Sequence, residues 1–210
     1  IRDFHDTKKR LQALKNAVKE DVCHRASGVQ KEINFALEHE EIADVFGDLL
    51  RKGELPLRVT HNDTKLNNVM IDLATGKGIC VVDLDTVMPG LAMNDFGDAI
   101  RFGASTALED EKDLSKVSCN MKLYEAYVKG FLESCGDKLT RKEIELLPMG
   151  AKVMTYECGI RFLTDYLEGD HYFKIHREGH NLDRCRTQLT LVKDMQEKLP
   201  QMNEIIKKYQ

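Results

Sequence analysis

A chain of 210 residues is long enough for one large domain or two small ones. It is 42% hydrophobic and 31% charged, and its formal net charge of -4 argues against a global positive field that would gather nucleic acid or anionic lipid. No stretch reaches the roughly 20 apolar residues of a membrane-spanning helix. The six cysteines form no Cys-x-x-Cys pair, which argues against a zinc ribbon or dithiol motif and suits a reducing, cytoplasmic setting.

From Asp6 to Leu50 the pattern is helical, with Leu11, Leu14 and Val18 at spacings of three and four. A break at Ser27-Gly28 precedes a second amphipathic run through Ile33, Leu37, Ile42, Phe46 and Leu49, and Gly53 with Pro56 marks its end. Leu57 to His61 then reads as a strand, and Val69 to Leu73 as another. The turn Ala74-Thr75-Gly76-Lys77-Gly78 leads into the apolar run Ile79-Cys80-Val81-Val82, which ends in Asp83-Leu84-Asp85. These pieces predict a β-hairpin with acidic and amide residues at its entry and exit. Beyond Pro89-Gly90 only helices are expected. Asn94 or Asp95 caps one running to Phe102, and Ser115 to Cys135 forms a long one closed by Gly136. Thr140-Arg141-Lys142-Glu143 has capping-box spacing and opens a helix bent near Pro148 that ends near Gly169. Leu182 to Tyr209 is a last helical segment, interrupted at Pro200. The predicted fold class is α+β, mainly helical, with one small sheet embedded in it.

The segment with chemical content is His61-Asn62-Asp63-Thr64-Lys65-Leu66-Asn67-Asn68, followed by Asp83. Phosphoryl transfer needs a carboxylate to orient the attacking hydroxyl and oxygen ligands for the metal that bridges the nucleotide phosphates. Asp63, just past a strand, suits the first task. Asn68 and Asp83 offer an amide oxygen and a hard carboxylate for Mg2+, and a hairpin between them can bring them side by side.

The order His-x-Asp, an Asn five residues after the Asp, then a later Asp is that of protein kinases. With Val59-Thr-His-Asn-Asp63, Asp83-Leu-Asp85 and Asn94-Asp-Phe-Gly-Asp98, the chain resembles the aminoglycoside phosphotransferase and choline kinase superfamily. Within it, the segments 58–72, 82–90 and 161–172 are similar to the bacterial N-acetylhexosamine 1-kinases. The resemblance implies the C-terminal lobe of a protein-kinase-like fold over residues 1–210, with the catalytic segment at 57–98. It implies ATP- and Mg2+-dependent phosphorylation of the anomeric hydroxyl of N-acetylglucosamine or N-acetylgalactosamine. Asp63 would be the base, Asn68 and Asp83 the metal ligands, His61 a support of the catalytic loop, and Thr86, Arg161 and Tyr172 the lining of the sugar pocket. An N-terminal nucleotide-clamping lobe with a strand lysine is expected but not found in this sequence, so the chain reads as a lobe severed from it, with little or no activity of its own.

Blander readings stand beside these. Asp63 and Asn68 are also common turn residues. Asp85 either touches a second metal or accepts backbone hydrogen bonds, and Asp95 and Asp98 cap their helix and brace the catalytic loop. By composition alone, Arg161 beside Asp165 is a salt-bridged surface residue. His171, His176 and His180 read as a solvated loop rather than a metal cluster, because Gly179 breaks a helix there. Two alternative functions remain: a kinase of an aminoglycoside, choline, homoserine or another sugar, and an interaction module that has kept the fold without the chemistry.

Overall fold

The computed structural model describes residues 1–210. Helix α1 (Thr7–Glu20) starts where the Asp6 carboxylate accepts the Lys9 amide at 3.0 Å, and it buries Leu11, Leu14 and Ala17 on one stripe. It ends at Asp21, which takes a left-handed conformation with φ 41°. Two shorter helices follow, α2 (Gln30–Glu38) and α3 (Val45–Arg51), and Gly53 turns the chain out of α3 at φ 71°.

The strands form two separate antiparallel pairs. Strand β1 (Arg58–Thr60) pairs with β4 (Met88–Gly90), with Val59 opposite Pro89, and β2 (Val69–Ile71) pairs with β3 (Gly78–Val81) as the expected hairpin. The single embedded sheet of the sequence reading is thus corrected. β4 has only three residues and contains Pro89-Gly90, which reads as a turn until β1 is seen beside it.

Helix α4 (Ala92–Gly103) begins at Leu91 without a side-chain cap, so Asn94 and Asp95 lie inside its first turn rather than capping it. Helix α5 spans Met121–Cys135, not 115–135. Val117 and Cys119 are buried, but in an extended stretch where Ser105 and Cys119 form an isolated bridge, and Asn120 caps the helix. Thr140 and Glu143 form the expected capping box of α6 (Arg141–Glu145), and Glu143 also holds Arg58 of β1 through bonds of 3.0 and 2.7 Å. The bend near Pro148 is a full break: α7 (Leu147–Glu168) starts anew with proline in its first turn, where no amide is missed.

α7 is the central helix, buried on nearly every side by α1, α4 and the 30-residue α8 (His180–Tyr209). Pro200 does not interrupt α8, because Met195 on one side of it and Met202 and Ile206 on the other are all held in the core. Helices α4 and α7 cross in close contact, where a Cβ on Gly97 would stand 2.2 Å from the Gly150 carbonyl oxygen.

Candidate active site

The loop from His61 to Asn68 joins β1 to the hairpin and is held mainly by polar contacts. The Asp95 carboxylate, in the first turn of α4, accepts the amides of His61 at 2.8 Å and Asn62 at 2.7 Å. Burial pushes its pKa up, and those two amides offset this only in part. From the other side the Thr86 hydroxyl donates to the His61 carbonyl at 2.7 Å, and the Asn62 side-chain amide donates to the Thr86 carbonyl at 3.0 Å. Asn62 takes a left-handed backbone at φ 66°, a conformation asparagine tolerates better than most residues, and its bonds to Asp95 and Thr86 hold it there.

His61 is hydrogen-bonded through both ring nitrogens. Its Nδ1 accepts the Asp63 amide at 3.3 Å, which leaves Nε2–H to donate to the Val82 carbonyl at 3.0 Å. The imidazole thereby joins the loop to the end of β3. The Asn68 carbonyl accepts the Val82 amide at 2.9 Å, so Asn68 lies against the residue that precedes Asp83.

Asp63 is half-buried. One oxygen, Oδ2, accepts from Lys65 Nζ at 2.9 Å and from Asn68 Nδ2 at 3.1 Å; the other, Oδ1, makes no hydrogen bond. Asn68 is buried, and its Nδ2 also donates to the Asp63 carbonyl at 2.8 Å, which fixes the amide and leaves Oδ1 without a partner. Asp83, at φ 63°, is exposed and joins no ion pair. No three His, Cys, Asp or Glu side chains converge into an all-protein metal cage. Mg2+ does not require one, since it is commonly bound by one or two protein oxygens with phosphate and water completing the shell. A pinned amide oxygen and a free carboxylate at the two ends of the hairpin fit that demand. Asp85 is exposed and accepts no backbone hydrogen bond, which removes one of its two expected roles.

Asp63, Thr86, Arg161 and Tyr172 all line one groove of about 500 Å³, while Asn68 and Asp83 lie outside it at the base of the hairpin. Thr86 spends its hydroxyl on the loop, so it meets the groove mainly with its methyl group and backbone. Arg161 makes no ion pair with Asp165. Its guanidinium lies 5.6 Å from the Tyr172 ring centre and 5.3 Å from that of Phe173, and it donates to the Tyr172 hydroxyl at 3.3 Å. Asp165 is instead buried, accepting the amides of His171, Tyr172 and Phe173 and a bond from Asn181. It therefore shapes the loop that carries Tyr172. Asp98 does not cap α4 either; it pairs with Arg101, which also reaches Glu109.

The histidine-rich segment is only partly a solvated loop. His171 and His176 are exposed, but His180 begins α8, is buried, and sits 3.1 Å from Asp110 through Nε2. Gly179, at φ 69°, starts that helix instead of breaking it. Sequence reasoning gave no role to Lys65, whose signal was its position two residues after Asp63, and took Asp165 only as a surface partner of Arg161. His5, 57 residues from the loop it touches, left no local signal at all.

A second groove, of about 630 Å³, lies along the N-terminal segment and α3 and does not include Asp63. No helix is long and apolar enough to cross a membrane. The model of the phosphotransferase enzyme family (APH) matches residues 1–132, more than half of the chain, and covers Asp63, Asn68 and Asp83. It stops within α5, before Arg161 and Tyr172. The loop, the hairpin and this match agree, and the chain belongs to the phosphotransferase enzyme family.

Proposed function

We propose that the protein is an ATP- and Mg2+-dependent kinase of the anomeric hydroxyl of an N-acetylhexosamine, giving the sugar 1-phosphate. In this reading Asp63 receives the acceptor's hydroxyl proton through its free Oδ1, while Lys65 and Asn68 hold Oδ2 and so fix the carboxylate plane. Asn68 Oδ1 and Asp83 would hold Mg2+, which neutralises charge on the nucleotide phosphates. The exposed apolar side chains of Val69, Ile79 and Val81, on one side of the hairpin, offer a face for the purine and for a nucleotide-covering lobe.

One observation carries the choice of acceptor: the charge along the groove. Lys65 is compensated by Asp63, and Arg101 by Asp98 and Glu109, whereas Arg161 and Lys174 have no carboxylate partner. A cationic acceptor such as an aminoglycoside or choline would face uncompensated positive charge there. A neutral sugar would instead find a forked donor for an acetamido carbonyl beside an aromatic wall. The same charge pattern leaves other neutral sugars as the second reading.

The deciding experiment offers N-acetylhexosamines, other sugars, homoserine, choline and aminoglycosides to the full-length protein with ATP and Mg2+. Sugar 1-phosphate formation from N-acetylhexosamines alone is the expected result. Turnover of an aminoglycoside with inert N-acetylhexosamines would overturn the assignment. Absence of nucleotide binding by calorimetry would favour an interaction module.

A further inference from the structure

A second histidine meets the loop from the side of α7. His5 precedes α1, and its side chain is only 9% exposed. Nδ1 stands 2.9 Å from Glu157 Oε1 on α7, and Nε2 stands 3.0 Å from the carbonyl oxygen of Asn62. A carbonyl has no hydrogen to give, so Nε2 must be the donor there. Glu157 already accepts the Thr7 hydroxyl on its other oxygen at 2.6 Å, the bond of a carboxylate rather than of a carboxylic acid. Both ring nitrogens therefore face acceptors, and only the imidazolium satisfies both. His61 shows the contrast: one of its nitrogens accepts and the other donates.

The Asn62 carbonyl belongs to the peptide unit that leads directly into Asp63. Asp95 holds the amide of the same residue, and the residue between these two anchors has the left-handed φ of 66°. We propose that His5, doubly hydrogen-bonded between Glu157 and the Asn62 carbonyl, is a positioning residue that sets where Asp63 points during phosphoryl transfer. The inference rests on the reading of Asp63 as the base, since displacement of that carboxylate by about 1 Å can cost about 10²-fold in rate.

The surroundings are consistent with a charged pair. Glu157 on α7 meets His5 directly, Asp98 and Asp95 on α4 face it, and Arg161 acts on Glu157 from the next turn of α7. Burial pushes the His5 pKa down, but the bond and charge of Glu157, the Asn62 carbonyl and Asp98 more than offset this and leave it above its ordinary 6.5. Burial likewise pushes Glu157 up, and His5 and Thr7 leave it below its ordinary 4.5. A raised histidine stabilises fully below 6.5 and loses this as pH climbs through its folded value. A depressed carboxylate stabilises fully above 4.5 and loses this as pH falls through its own. The clamp is complete between those limits and loosens on the alkaline side as His5 deprotonates.

The first test is nitrogen NMR of the histidine rings in the wild-type full-length protein. His5 is expected to carry both ring protons at pH 6 and to titrate with a midpoint above 6.5; a midpoint at or below 6.5 overturns the proposal. The second is kinetic. His5→Gln is expected to lower kcat about tenfold with little change in KM for nucleotide or acceptor. Glu157→Gln should move the alkaline limb of the kcat profile to lower pH by about one unit. A lower melting temperature with kcat and its pH profile unchanged would reduce His5 to a structural residue. If either variant fails to fold, the wild-type NMR titration and alkaline limb still decide. Full activity in Asp63→Asn would remove the base reading and the proposal with it, whereas the NMR result reports on the clamp alone and keeps the two failures apart.

Discussion

The helices α4, α7 and α8 and the strand segment from Arg58 to Gly90 are held in place by different physics. In the helices, Phe96, Tyr156, Ile160, Leu163 and Leu191 are almost wholly removed from water, and Phe96 meets Tyr124, Tyr127 and Phe131 edge to face. Burial of such side chains contributes roughly 1.5–3 kcal/mol each. In the strand segment the buried residues are polar, Thr60, Asn62 and Asn68, while Val59, Met70, Ile71 and Ile79 face solvent. A net hydrogen bond is worth only about 1 kcal/mol, yet it fixes direction as apolar contact does not. The helices thus supply the stability of the fold and the hydrogen-bonded segment supplies the geometry of the site. Mutations in the two regions should fail in different ways.

The largest effect expected within the segment is on rate alone. Asp63→Asn keeps the size of the side chain and removes the proton acceptor, so turnover should fall by roughly 10²–10⁴-fold while stability changes by about 0.5 kcal/mol or less. Steady-state kinetics beside a urea melt measures both, and a matching collapse in stability would erase the division of labour. Within the scaffold the converse is expected. Gly97→Ala places a methyl group 2.2 Å from a backbone oxygen of α7 that cannot move aside, and stability should drop by about 3 kcal/mol or more. The urea midpoint reads this directly, and a midpoint equal to wild type would show that the crossing is looser than described.

Asp95→Asn tests the join between the regions, since Asp95 stands on the helical side and holds two loop amides. Losing one of those acceptors should cost about 1–3 kcal/mol and lower kcat in parallel. A variant that changes stability without kcat would separate the clamp from catalysis. The smallest effect is expected at the groove's rim. Tyr172 is 70% exposed and its hydroxyl only receives Arg161, so Tyr172→Phe should raise the acceptor KM by about threefold or less, a loss under about 1 kcal/mol. A tenfold change in kcat would promote Tyr172 from the wall of the groove to the reacting centre.

The same division explains what could be read in the sequence. The hairpin was legible because its signals are local: Gly76 at φ 67° in the turn, apolar runs on either side, and acidic and amide residues at the ends. The capping box of α6 and the left-handed Gly169 that ends α7 were legible for the same reason. Where partners are distant, the pattern misled. Val117 falls in step with Met121 and Tyr124 as one face of a helix, but it lies in an extended stretch before α5, next to the bridge between Cys119 and Ser105. Pro200 looks like a stop, but core contacts on both sides of it carry α8 through. Asp165 and His5 work through backbone groups of other segments, a use that leaves no spacing in the residues around them.

The hairpin carries one more consequence. Every residue of β2 and β3 is solvent-exposed, and the pairing is irregular between Met70 and Ile71, so little beyond its own ladder protects it from fraying. Asn68 and Asp83 bracket its two ends. An ion gripped by both would act as a staple across the open side of the ribbon, and occupancy could then be followed without any assay of turnover, as slowed deuterium uptake from Val69 to Val81.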